Sequence, residues 1–162
     1  MPPPRANCFD ASALLKVFTQ ETGSELVREY FYNRSPTKYT TPFCFYETLT
    51  VLKVKWLYRG ELTQQQYTDA AFRLVAWFEA STRYASDIDL KDPLTFSKVR
   101  QLAERHSLDL SDAFQIMSVK EGYFSHLINE SQTVLVTADE VLATAAKEEG
   151  VRAWYCLGEA EP

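Results

Sequence analysis

Short apolar runs alternate with longer amphipathic segments along this chain, and the alternation predicts an α/β fold. Ala6–Phe9 and Thr133–Thr137 are short, mainly apolar runs of the length of buried strands. Lys38–Thr41 reads as a second strand ended by Pro42, Arg83–Ile88 as a third, and Val151–Cys156 as the last. Between them the apolar positions recur every three or four residues, predicting helices over Ala11–Phe18, Thr22 to about Tyr32, Phe43 to about Tyr58, Thr63 to about Ala80, Asp92 to about His106, Asp112 to about Gly122 and Asp139–Glu149. Thr22 with Glu25, and Thr63 with Gln66, have capping-box spacing; Ser111 reads as a cap for the Asp112 helix. Pro93 suits a first helical position, and Gly60 and Gly150 suit helix stops. Strands separated by helices call for a mostly parallel sheet, here of five strands, with helices on both faces.

At 162 residues, with 46% hydrophobic and 24% charged residues, the chain reads as one globular domain over 1–162. Its core runs from about 5 to 156, and residues 157–162 read as a frayed polar tail. Cys8, Cys44 and Cys156 have no metal-ligand spacing and fall in apolar segments, so buried free thiols are expected. No apolar stretch is long enough to cross a membrane, and the start lacks a signal peptide's apolar run. A reducing, cytoplasmic setting is expected. The net charge of −5 is unevenly spread: residues 1–60 hold 8 Lys/Arg against 5 Asp/Glu, residues 61–162 hold 9 against 17. Net acidity argues against a chain-wide nucleic-acid footprint but leaves room for a local one.

The chemistry concentrates in four acids. Asp10 ends the first strand, Asp139 follows the strand Thr133–Thr137, Asp112 opens a helix, and Glu47 is the one acid between Glu29 and Glu61. Ligands of open parallel sheets bind outside the carboxyl ends of the strands. Gathered there, paired carboxylates about 5 Å apart would repel by roughly 3 kcal/mol per pair at an effective dielectric of about 20. Such a set holds protons or a cation, and all-oxygen donors favour Mg²⁺ or Mn²⁺. Phosphodiester hydrolysis is the natural reaction. Each acid also has a plainer role: Asp10 as a helix N-cap, Asp112 and Asp139 as first-turn acids favoured by the helix dipole. Ser12 and Thr137 are either caps or supports for a carboxylate. Lys53, Lys55 and Arg59 are ordinary surface charge or phosphate contacts on the Glu47 helix. His106 and His126 read as surface residues. Tyr46, Trp56, Tyr58 and Trp77 read as core, or as a groove for a partner.

In these residues the chain resembles the PIN-domain nucleases, and most closely the VapC-type toxins of toxin–antitoxin pairs. Phe9-Asp10-Ala11-Ser12-Ala13-Leu14-Leu15-Lys16, Phe45-Tyr46-Glu47-Thr48-Leu49, Leu110-Ser111-Asp112-Ala113-Phe114-Gln115 and Leu135-Val136-Thr137-Ala138-Asp139 look like that family's four motifs, in order and at compatible spacing. The resemblance implies a PIN-like three-layer sandwich around a five-stranded parallel sheet. It implies an endoribonuclease with Mg²⁺ or Mn²⁺ bound by Asp10 and Asp112, completed by Glu47 and Asp139 and supported by Thr137. It also implies a homodimer, and inhibition by a VapB-like antitoxin. The Ser125–Gln132 connection and the weakly marked third strand depart from a compact member of the family.

Other readings stand beside this one. A receiver-type signalling module also gathers acids at strand ends, but wants paired acids after the first strand and a Lys after the last; here Asp10 stands alone and Leu157-Gly158-Glu159 follows Cys156. A PIN fold that only binds RNA or a partner, and a PIN ribonuclease of RNA processing outside any toxin–antitoxin pair, are further alternatives.

Overall fold

The computed structural model describes residues 6–85, 88–128 and 132–162, and for 82–85 the backbone alone. Strands β1 (Ala6–Phe9), β2 (Lys38–Tyr39), β3 (Thr133–Thr137) and β4 (Arg152–Tyr155) form one parallel sheet in the order β2-β1-β3-β4. Successive strand residues face opposite layers. Cys8, Leu135 and Ala153 point into a core built with helices α5 (Pro93–His106), α6 (Leu110–Glu121) and α7 (Glu140–Glu148). Phe9, Val134, Val136 and Trp154 point into a second core under α1 (Ala11–Phe18), α2 (Ser24–Glu29), α3 (Pro42–Leu57) and α4 (Gln64–Ala85). Helices therefore cover both faces, which is why β1 and β3 are apolar at every position but Asn7 and the Thr ends.

Four strands, not five, make up the sheet among the described residues. The segment expected as a third strand continues α4 as far as Ala85; residues 86–87 lie outside the described residues. A short apolar run cannot by itself be told from buried helix, and here the preceding helix simply carries on, packed along α3. Part of the Ser125–Gln132 connection, residues 129–131, is likewise outside the described residues; Ser125–Leu127 forms a single 3-10 turn.

Local chemistry sets the helix starts. Thr63 and Gln66 form the expected reciprocal box, with Gln66 N–H donating to Thr63 Oγ1 at 3.1 Å and Thr63 N–H to Gln66 Oε1 at 2.8 Å. The Thr22–Glu25 box does not form. Gly23, at φ +85°, precedes α2 instead, and Ser24 Oγ accepts from Glu21 N–H. That helix relaxes into a π-helical stretch, Tyr30–Arg34, before Ser35. α6 starts two residues earlier than expected, because Asp109 and not Ser111 is its cap. The C-terminal residues are tied back: Trp154 Nε1–H donates to the Glu159 carbonyl at 3.1 Å, and Glu159 pairs with Lys147 and Glu161 with Arg34.

The strand order places a topological switch between β1 and β3. From β1 the chain moves to β2 on one side, while β3 lies on the other. The carboxyl ends of these two strands lead to helices on opposite faces, opening the crevice where such sheets bind ligands.

Candidate active site: an acid cluster at the sheet's carboxyl edge

Asp10 extends the sheet by one residue, its N–H donating to the Val136 carbonyl at 2.9 Å. It precedes α1, but its side chain makes no capping bond, so a plain cap role does not account for it. The residue is 3% exposed, and its carboxylate faces three donors. Ser12 Oγ–H (2.7 Å) and Thr137 Oγ1–H (3.0 Å) both donate to Oδ2, and Cys44 Sγ–H approaches Oδ1 at 3.4 Å. Ser12 Oγ also accepts from Ala138 N–H at 2.9 Å, and Thr137 Oγ1 from Asp139 N–H at 3.0 Å. The two hydroxyls thus stitch the end of β1 to the loop after β3, and Ser12 and Thr137 act as supports for Asp10.

Asp112 sits in the first turn of α6, where its N–H bonds Asp109 Oδ1 at 2.9 Å. Its carboxyl is pushed up from 3.8 to about 8, first by burial and then by the charges of Asp10, Asp109, Asp139 and Glu47. Glu47, on α3, is raised by partial burial and by Asp10 and Asp109. Asp139 does cap α7, accepting from Val141 N–H (2.9 Å) and Leu142 N–H (3.3 Å) through Oδ1. It is thus the cap itself and not the first-turn acid expected, and its charge also acts on Asp112. Of the four acids singled out from the sequence, Asp10, Glu47 and Asp139 all act by charge on the fourth, Asp112.

Two members are not evident from the sequence. Asp109 adds a fifth carboxylate; its spacing of three before Asp112 is that of an N-cap, but Ser111 is an equally good cap by type. Cys44 reads from the sequence only as a buried thiol, and so it is, like Cys8 and Cys156; helix α3 aims it at Asp10.

Of the basic residues on and after α3, Lys55 is committed elsewhere. Its ammonium lies 3.3 Å from Glu21 and 2.9 Å from Glu61, with its side chain 13% exposed. Arg59 is exposed and 4.0 Å from Glu61. Lys53 is exposed. The aromatic residues divide: Trp77 packs on Phe18 and Phe31, Trp56 stacks on Tyr67, and Tyr46 and Tyr58 are exposed. His106 is not a surface residue; its ring is wedged between Glu149 (2.7 Å) and Glu148 (3.2 Å), with its side chain 8% exposed.

Among the described residues no three His, Cys, Asp or Glu side chains converge closely enough to cage a metal by themselves. Carboxylate oxygens are the donor type that Mg²⁺ and Mn²⁺ prefer. These ions take one or two carboxylates and fill the remaining positions with water and phosphate oxygens. The largest charge effects on Asp112 come from four acids, Asp10, Asp109, Asp139 and Glu47.

No family model matches the chain, and no curated protein matches it. No helix among the described residues is long and apolar enough to cross a membrane.

Proposed function

We propose that this protein is a divalent-metal-dependent endoribonuclease that hydrolyses RNA phosphodiester bonds at the acid cluster. The observation that carries the reading is the buried Asp10 at the end of β1, held by Ser12 and Thr137, with further acids near enough to act by charge on Asp112. Such a site holds a proton when empty and a cation in use. Asp10 and Asp112 would bind the ion, with Glu47 and Asp139 holding its waters. When bound, Mg²⁺ or Mn²⁺ supplies an activated water and stabilises charge on the phosphoryl group. Ser12 and Thr137 keep Asp10 oriented, and Asp112 would have to be ionised to hold such an ion.

That the phosphodiester belongs to RNA rests on the likeness of the four motifs to the PIN-domain nucleases. The same likeness supports a toxin of a toxin–antitoxin pair, cytoplasmic, homodimeric and restrained by a VapB-like antitoxin. The test is cleavage of structured RNA by purified protein with Mn²⁺ and with EDTA. Cleavage confined to Mn²⁺ supports the proposal; equal cleavage in both, or none with folded, antitoxin-free protein on several RNAs, contradicts it.

A further inference from the structure

Helix α3 turns one face outward, and that face is not a plain solvated stripe. Phe43, Tyr46, Glu47, Thr50, Lys53 and Leu57 are all exposed, at steps of one, three or four residues that place them on one side of the helix. Phe43 is 39% and Tyr46 67% exposed. Single exposed aromatics are ordinary on protein surfaces. Two features set these apart.

The first is position. The Phe43 ring lies edge-on to Phe114 at 5.0 Å, on the helix that carries Asp112. Tyr46 directly precedes Glu47, whose carboxyl feels Asp10 and Asp109. Both rings therefore stand on the helix that walls the acid cluster. The second is the company they keep. Lys53 lies seven residues past Tyr46, two turns or roughly 10 Å along the helix axis, on the same stripe. Aromatic face, acid and exposed cation thus share one helix face.

An acid cluster offers a polyanion no attraction of its own, so substrate affinity has to come from neighbouring groups. A nucleobase face is uncharged and stacks well on an aromatic ring, whereas the bases of a duplex are already stacked on each other. We propose that Tyr46, with Phe43 one turn before it, is the platform on which an unpaired base of single-stranded RNA stacks beside the acid cluster. Lys53 meets a backbone phosphate further along α3. The proposal rests on the nuclease reading of the site and adds what that reading lacks, a determinant for unpaired nucleotides.

The experiment measures binding of a fluorescent single-stranded oligoribonucleotide and its duplex by anisotropy, with Mn²⁺ present, in the Asp112→Asn background. Versions with Tyr46 intact, with Tyr46→Ala and with Tyr46→Trp are compared. Being exposed, Tyr46 tolerates both changes without loss of the fold, which thermal melting verifies. Tyr46→Ala is expected to weaken single-strand binding by about tenfold, Tyr46→Trp to retain it, and duplex binding to be unaffected. An abasic nucleotide at the stacked position should cost the same factor with Tyr46 intact and nothing further in the Tyr46→Ala version. Equal single-strand affinity with and without Tyr46→Ala, absence of strand binding, or conversion of a dimer to a monomer by Tyr46→Ala overturns the proposal, the last by identifying a second copy as the occupant. Cleavage by the protein without Asp112→Asn is followed in parallel. Tyr46-dependent binding without any cleavage keeps the platform and removes the nuclease; cleavage with unchanged KM in Tyr46→Ala does the reverse.

Discussion

Asp112 is the residue on which the account turns. Its carboxyl, raised from 3.8 to about 8, binds a proton in the folded chain over a range where the unfolded chain has released it. Stability therefore falls as pH rises from about 4 through about 8. Chemical denaturation in EDTA should show that slope, and Asp112→Asn should flatten it. Added Mn²⁺ should raise the melting temperature more at pH 8 than at pH 5, because only the ionised carboxylate attracts the cation. The supports of Asp10 are a second residue-scale test. Thr137 Oγ1 holds both Asp10 Oδ2 and the Asp139 N–H. Groups that orient a metal-binding carboxylate typically contribute about 10–100-fold in affinity or activity. Thr137→Ala should shift the Mn²⁺ dependence of cleavage by that factor, and Thr137→Ser, which keeps the hydroxyl, should restore most of it.

At the scale of elements, the helices on the α5–α7 face are joined by one carboxylate. Glu149, just past α7, accepts from Arg105 at 2.7 Å and from Lys120 at 2.8 Å, and lies 2.7 Å from His106 Nε2. The contacts to His106, Lys120 and Arg105 hold its carboxyl down at about 2. Its contribution is present above the ordinary value of 4.5 and is lost as pH falls toward 2. Glu149→Gln should cost about 1–3 kcal/mol at neutral pH in a urea titration, with little change in cleavage. None of this pairing is legible in the sequence, because His106 and Glu149 stand 43 positions apart on separate elements. β1, β3 and the Thr63 box are legible, since apolar continuity and capping are local properties. The strand expected at 83–88 fails on that same locality: whether a short segment with apolar residues extends a helix depends on what the helix packs against. At the site, Asp10, Glu47, Asp112 and Asp139 can be read from their places in and between elements, whereas Asp109 and Cys44 become visible only when α6 and α3 are set against β1.

Across the whole molecule, the two cores meet through the sheet, and Trp154 joins the C-terminal residues to the α1–α4 face. Its ring packs 4.8 Å from Tyr30, and its indole N–H bonds the Glu159 carbonyl. Ending the chain at Leu157 would leave that donor unpaired and should cost about 1–3 kcal/mol, read as a lower urea midpoint, with cleavage at the acid cluster retained. The sheet order gives the molecule a crevice between β1 and β3, and acids carried by the end of β1, α3, α6 and the β3–α7 turn act on one another by charge beside it. The role proposed for these acids is metal-assisted hydrolysis of RNA. Its most direct test compares wild type with Asp112→Asn in Mn²⁺, on one structured RNA, at matched thermal stability. Cleavage by the wild type and none by the variant is the expected result; cleavage by both at the same rate would overturn the proposed hydrolysis.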